Sequence, residues 1–221
     1  SKETKVDIIV TPAVTIISGV SIGTFLGPVI NNLMSGLGKT IMLATSLQPF
    51  WMGIVISVIV GIVLTLPISS AALCMMLSLA GLAGGAATAG CSAQMIGFAV
   101  MSFKENGWSG LLAQGLGTSM LQIPNILKNW KIWIPPTLAS AITGPIATTI
   151  FKMENIPLGS GMGTSGLVGQ IGTITAMGEA GASAFTIYAG IAVIHFVLPA
   201  LLSLIFYRIL KKIGWIKEGD L

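Results

Sequence analysis

Residues 155–173 carry glycine at 159, 161, 163, 166, 169 and 172, with Thr164, Ser165 and Gln170 set among them and no charge inside the stretch. Each glycine costs a helix about 1 kcal/mol relative to alanine, so this density predicts irregular, amide-rich backbone. Exposed N–H groups, hydroxyls and side-chain amides together make a set suited to an uncharged polyhydroxy ligand or an anion. The run Gly161-x-Gly163-x-x-Gly166 also fits a dinucleotide fingerprint, but that motif must follow a strand and meet an acid about twenty residues on. Here an apolar, helix-length run precedes it and Glu179 comes too early, so nucleotide binding is not predicted. No Gly-x-x-x-x-Gly-Lys-[Ser/Thr] occurs, which excludes ATP-driven work by this chain.

Glu154, Glu179 and His195 are the ionisable groups beside or within apolar sequence, where such groups are costly and point to function. Glu154 and Glu179 read equally as residues of a water-facing boundary, and His195 as an interhelical hydrogen bonder or as a substrate or proton-relay group. Gln94, Gln114, Gln122, Asn125 and Gln170 add neutral hydrogen-bonding capacity, which suits a sugar better than a cation. No Ser-His-Asp set, paired carboxylates or His-Glu-x-x-His occurs, so no catalytic residue is predicted. Cys74 and Cys91 form no Cys-x-x-Cys and meet a single histidine, so neither a disulfide framework nor a metal or cofactor site is indicated. Isolated glycines such as Gly53, Gly61 and Gly190 read as packing residues.

The elements that must position these groups are apolar. Charged residues make up 8% of the chain and apolar ones 53%, against roughly 25% charged in soluble domains. Uncharged runs at 8–38, 40–103, 106–127, 132–151, 155–178 and 180–207 reach the roughly 20 residues that cross a bilayer as helix, and the short alternating segments of a membrane barrel are absent. The fold class is therefore all-α, a polytopic transmembrane bundle with broken or re-entrant glycine-rich segments. The net charge of +4 sits on single lysines at the ends of apolar runs, so it anchors to headgroups and does not mark a nucleic-acid partner. Ser1, followed by Lys2 and Lys5 and a run too long for a signal-peptide core, suits the core of a longer protein.

In chain order, 6–34 predicts a long helix kinked at Gly27-Pro28, with Asn31 and Asn32 at an interface or cavity, then a connection at 35–40 and a short interfacial helix at 41–50. A crossing follows from Trp51 to Pro67. A short helix at 68–79, a break at 81–90 and a resumed helix at 91–103 make a discontinuous segment. Residues 111–127, 132–151 and 182–207 complete the crossings, with Trp130 and Trp133 at a boundary. Six crossings with a re-entrant glycine stretch put Lys2, Lys5, Lys128, Lys131, Arg208, Lys211, Lys212 and Lys217 inside, against Lys39, Lys104 and Lys152 outside.

An internal repeat is legible in T-[AS]-G-x-x-[AG]-Q-[MI], which occurs at Thr88 to Met95 and at Thr164 to Ile171, a spacing of 76. Thr65-x-Pro67-Ile68 and Thr143-x-Pro145-Ile146 lie 78 apart, Gly107-x-x-Gly110 and Gly178-x-x-Gly181 71 apart, and Pro124 and Pro199 75 apart. One permease domain, 1–221, with repeats at about 47–128 and 129–212, follows, and paired broken segments place a substrate between the halves. The candidate binding set is Glu154, Asn155, Gly163, Thr164, Ser165 and Gln170 from one half, Thr88 and Gln94 from the other, and His195.

Residues 6–17 (Val6-Asp-Ile-Ile-Val-Thr-Pro12-Ala-Val-Thr-Ile-Ile17), Lys152-Met-Glu-Asn155-Ile-Pro157 and the glycine block 159–172 resemble the less-studied branch of the membrane enzyme IIC components of the bacterial phosphotransferase system. The resemblance covers nearly the whole chain. It implies a multi-pass permease of the bacterial inner membrane, usually a homodimer in the lipid bilayer, that passes a sugar or polyol to a cytoplasmic IIB protein for phosphorylation. Better-known branches place a glutamate beside a re-entrant loop as a sugar ligand, and Glu154 is its counterpart here. The alternative is a membrane sensor or carrier of the same fold that binds another amphipathic ligand without phosphoryl transfer.

Overall fold

The computed structural model describes residues 7–221. Lys2, Lys5 and Val6 lie outside the described residues, as does the side chain of Asn31, while Asn32 is exposed. The described residues are all-helical, with no strand among them.

Helix α1 runs unbroken over Asp7–Leu47, so the connection at 35–40 and the separate interfacial helix at 41–50 do not form. Pro28 removes one amide, which bends a helix without ending it. Gly38 serves a contact, since a side chain there would overlap the backbone carbonyl of Leu77.

Helix α2 (Pro49–Thr65) opens on a proline, whose missing amide needs no partner in the first turn. It stops at Leu66 before Pro67, which disfavours helix in the preceding residue. Helix α3 (Ser70–Met76) is capped by Ser69, whose Oγ accepts from the Ala72 amide at 3.2 Å. Helix α4 (Gly81–Met101) is continuous, so the break predicted at 81–90 is corrected: the chain bends earlier, around Ser78 at φ 51°. The α4 glycines let backbones meet. Side chains at Gly85 and Gly90 would overlap the carbonyls of Met153 and Ser57, and α4 is buried along nearly its whole length.

The run 106–127 does not form one continuous helix, contrary to expectation. It folds as helix α5 (Phe103–Leu112), a π-helical turn at Ala113–Gly117, a 3-10 turn at Ser119–Gln122 and helix α6 (Ile123–Lys128). Gly107 at φ 59° and ψ −155° bends its entry, a conformation that L side chains resist. Helix α7 (Ile134–Thr149) then runs antiparallel to α4: Trp133 bonds to Gln94 and the Ser140 hydroxyl to the Gly90 carbonyl. Against α2, Ser57 donates to Ser140 O at 2.8 Å and Thr148 to Pro49 O at 2.7 Å.

The glycine stretch folds as helix α8 (Pro157–Ser160), a 3-10 turn at Ser165–Leu167 and helix α9 (Val168–Glu179). Helix α10 (Ala184–Gly190), a π-helical segment Ile191–Val197 and helix α11 (Leu198–Lys212) form one rod of 29 residues that contains an 18-residue stretch of mean hydropathy 2.3, among the described residues the one helix long and apolar enough to cross a membrane by itself.

Lys104 and Lys211 share the Glu218 carboxylate, at 2.7 and 3.2 Å. Lys104 thus lies at the same end as Lys211, opposite to the expected arrangement, because 103–128 returns to the end it left. Asn129 closes the same end, donating to Trp215 O and to Asp220 at 3.0 and 2.8 Å.

Candidate functional site

Among the described residues two hairpins enter the bundle from opposite ends. Asn155 pairs backbone to backbone with Gly81 at the start of α4, at 3.0 and 3.2 Å. From there the chain descends until Gly163 (φ 54°) lies on Cys91 and Ser92, where an added Cβ would stand 2.8 Å from the Cys91 backbone. Ten residues of α4 separate those levels, about 15 Å of helix. Helix α9 returns to the starting end, where Met177 packs with Ile187. The other hairpin, 103–128, leaves from the last turn of α4, and its turn at Gly115 reaches back to Ile96 and Ala99. The tips meet beside α4: Thr164 Oγ1 donates to Gly115 O at 2.5 Å and touches Met95 Sδ at 3.6 Å.

Asn155 is the staple of the glycine hairpin. Its Nδ2 donates to Thr88 Oγ1 at 2.6 Å, Gly169 O at 2.9 Å and Thr173 Oγ1 at 3.2 Å, while Oδ1 accepts from the Ile156 amide. Thr88 is consumed in the same network, donating in turn to Gly84 O. Gln94 is likewise filled: Nε2 donates to Thr137, and Oε1 accepts from Trp133 Nε1 at 3.0 Å and from Thr65. Gln170 differs. Its Nε2 faces His195 Nδ1 at 3.1 Å, and Gln170 Oε1 and His195 Nε2 are buried with no hydrogen-bond partner. Orphaned buried polar atoms are rare in native proteins and call for an explanation such as a ligand or water. The π-helical segment that carries His195 precedes Pro199, which cannot donate to the His195 carbonyl; π-bulges of this kind recur at functional sites.

Glu154 is half-buried and, among the described residues, has no ion pair or hydrogen bond. Ser165 is half-buried at the tip. The structure therefore brings Gly163, Thr164, Ser165 and Gln170 to one tip with His195, and sets Glu154 at that hairpin's entrance. Gln94 and Gln170 share no partner, and the two Thr-x-Gly blocks differ in conformation, one inside α4 and the other across a turn into α9.

Sequence reasoning missed Ser92 and Ser203, whose hydroxyls are also buried without partners, and it missed the tip at Gly115. A signal for that tip exists. Gly115-Leu-Gly-Thr-Ser119 matches Gly161-Met-Gly-Thr-Ser165, and Phe103-Lys-Glu-Asn106 matches Phe151-Lys-Met-Glu-Asn155. The same phrases open and turn both hairpins, one after α4 and the other after α7.

Broken segments that meet at a polar, uncharged point recur in membrane transporters. The chain belongs to the phosphotransferase system EIIC family, whose profile matches residues 1–221, and it is a permease component of that system located in the membrane. No curated protein and no solved structure matches it.

Proposed function

We propose that this chain moves a sugar or polyol across the bacterial inner membrane by alternating access and presents it to a cytoplasmic IIB protein. The observation that carries this reading is the meeting of two opposed hairpin tips beside the Gln170–His195 pair, whose unpaired atoms await hydroxyl partners. In this reading Gln170, His195, Thr164, Ser165 and Glu154 face the ligand, while Asn155, Gly163, Thr88 and Gln94 hold the frame around it. Helices α2, α4, α7 and α10–α11 cross the bilayer and the hairpins re-enter it. The halves at about 47–128 and 129–212 each contribute one hairpin, which supports an inverted repeat within one permease domain. The end carrying Lys104, Lys128, Lys131, Arg208, Lys211, Lys212 and Lys217 faces the cytoplasm, where positive residues accumulate. That end receives IIB, and the permease works as a homodimer in the lipid bilayer.

The test is uptake of radiolabelled hexoses and hexitols by vesicles that contain the chain with its IIB and IIA proteins. Gln170→Ala lowers uptake about tenfold or more at unchanged expression, as expected for loss of one buried hydrogen bond worth about 1.5 kcal/mol. Uptake by Gln170→Ala within about twofold of wild type, a difference of only about 0.4 kcal/mol, would remove Gln170 from the site. Absence of uptake of every sugar by wild type would leave the sensor alternative.

A further inference from the structure

The limbs of hairpin 103–128 flank an open cavity of about 320 Å³ lined by Asn106, Ser109, Gln114, Leu121, Gln122 and Asn125, together with Gly110 and Ala113. A larger space of about 430 Å³ on the other side of the same hairpin is walled by apolar residues such as Ile96, Leu111 and Phe196, a surface suited to lipid chains. The smaller cavity is of another kind. Its amides are strung head to tail: Asn125 Nδ2 donates to Gln122 Oε1 at 2.9 Å, Gln122 Nε2 to Gln114 Oε1 at 3.1 Å, and Gln114 Nε2 to Ser102 Oγ at 2.9 Å. Each NH₂ carries two hydrogens and spends one in this ladder, so every rung keeps a donor, and Asn125 Oδ1 keeps its acceptor capacity. Gln114 and Gln122 are 3% and 2% exposed, so the ladder forms the floor, while Asn106 and Ser109 are exposed at the rim.

No ionisable side chain lines the cavity. Alternating donors and acceptors without charge match hydroxyl groups, each of which both gives and accepts a hydrogen bond. Asn106 occupies the place that Asn155 holds in the glycine hairpin, where that amide reaches across both limbs and leaves them shut. Asn106 makes no such bond, and its hairpin stands open.

We infer that this cavity is a second binding site for a neutral polyhydroxy ligand, on the basic side of the tip contact, with Asn106 and the amide ladder as its ligands. The inference rests on the reading of the chain as a sugar or polyol permease and adds a station between the tips and the cytoplasm.

Ser109→Cys supplies the probe, since Cys74 and Cys91 are buried and stay silent toward maleimide. In membrane vesicles, D-glucose, D-mannitol or ribitol slows maleimide labelling at Ser109→Cys, and Asn106→Ala weakens that protection about tenfold; Asn106 is exposed, so the fold is not at stake. A parallel reporter, Ser165→Cys, reads the glycine tip. Protection at Ser165→Cys with none at Ser109→Cys overturns this inference and leaves the permease reading standing, and protection at neither overturns both. Protection at Ser109→Cys by inorganic phosphate and by none of the three polyols makes the cavity an anion site and overturns the inference.

Discussion

Two neutral amides, Asn155 and Gln170, look alike in the sequence and differ in what surrounds them. Asn155 spends its side-chain amide on protein, so Asn155→Ala leaves the Ile156 amide without its partner and removes the side-chain bonds that tie the hairpin to Thr88 of α4. The expected loss is about 3 kcal/mol of stability, from buried groups left unpaired, read as a lower melting temperature of the purified protein; unchanged melting would show that the staple carries no weight. A second residue-scale prediction concerns Glu218, whose carboxyl is held down to about 2 by hydrogen bonds and charge from Lys104 and Lys211. A carboxyl lowered in the folded state contributes stability above its ordinary value of 4.5 and loses it as pH falls toward about 2. The segment 213–221, which Glu218 helps to hold down, is thus expected to resist protease at neutral pH and to loosen between those values. Because the pair is exposed, raised salt weakens it as well. Glu218→Gln should loosen the segment at pH 7 and low salt, and equal protease resistance in that variant would refute the role.

At the scale of elements, much was legible and one distinction was not. Helical class and the irregular glycine hairpin followed from apolar run lengths and from six glycines in the stretch 159–172. The stretch 81–90 has comparable glycine density yet forms regular helix. The difference lies in its partners: 81–93 interleaves alanines at 83, 86, 87, 89 and 93, whereas 155–172 has none, and alanine is the best helix former. Which backbone a helix glycine will touch is a tertiary fact that composition does not carry. The run 106–127 was read as a crossing because length without charge was weighed above Gly107, Gly115, Gly117 and Pro124, which break it. Of the candidate site, the tip residues and His195 are brought together, while Thr88 is bound to Asn155 in the hairpin's frame and Gln94 serves a separate network. Gly163 and Gly117, matched in sequence, make a discriminating pair. Gly163→Ala would force a Cβ to 2.8 Å from the Cys91 backbone at φ 54°, while a Cβ at Gly117 meets nothing within 4 Å. Gly163→Ala is expected to abolish folded yield or uptake and Gly117→Ala to leave both within about twofold, a change worth about 0.4 kcal/mol; similar behaviour of the two in detergent gel filtration and uptake would deny the close approach.

For the whole molecule, the ion pairs and the Asn129 contacts gather the ends of α4, α6 and α11 on one side. Cysteines introduced one at a time for Lys104, Lys131 and Lys212 should therefore be labelled by a membrane-impermeant maleimide from the same side, and a cysteine for Lys152 from the other. Lys104 labelled together with Lys152 would undo the returning hairpin and restore a crossing. The central helix bears on how such an assembly moves. Ordinary helices lock together as the ridges of one settle into the grooves of the other, and a shift must lift side chains over one another. Over residues 83–93 helix α4 presents only glycine, alanine and other small side chains to its neighbours, which leaves little relief to interlock there. Under the proposed alternating access it would act as a bearing surface: an element resting on it would give up weak dispersion contacts of about 0.1–0.2 kcal/mol per atom pair and regain them a step further along, so the track itself would add little friction to the stroke.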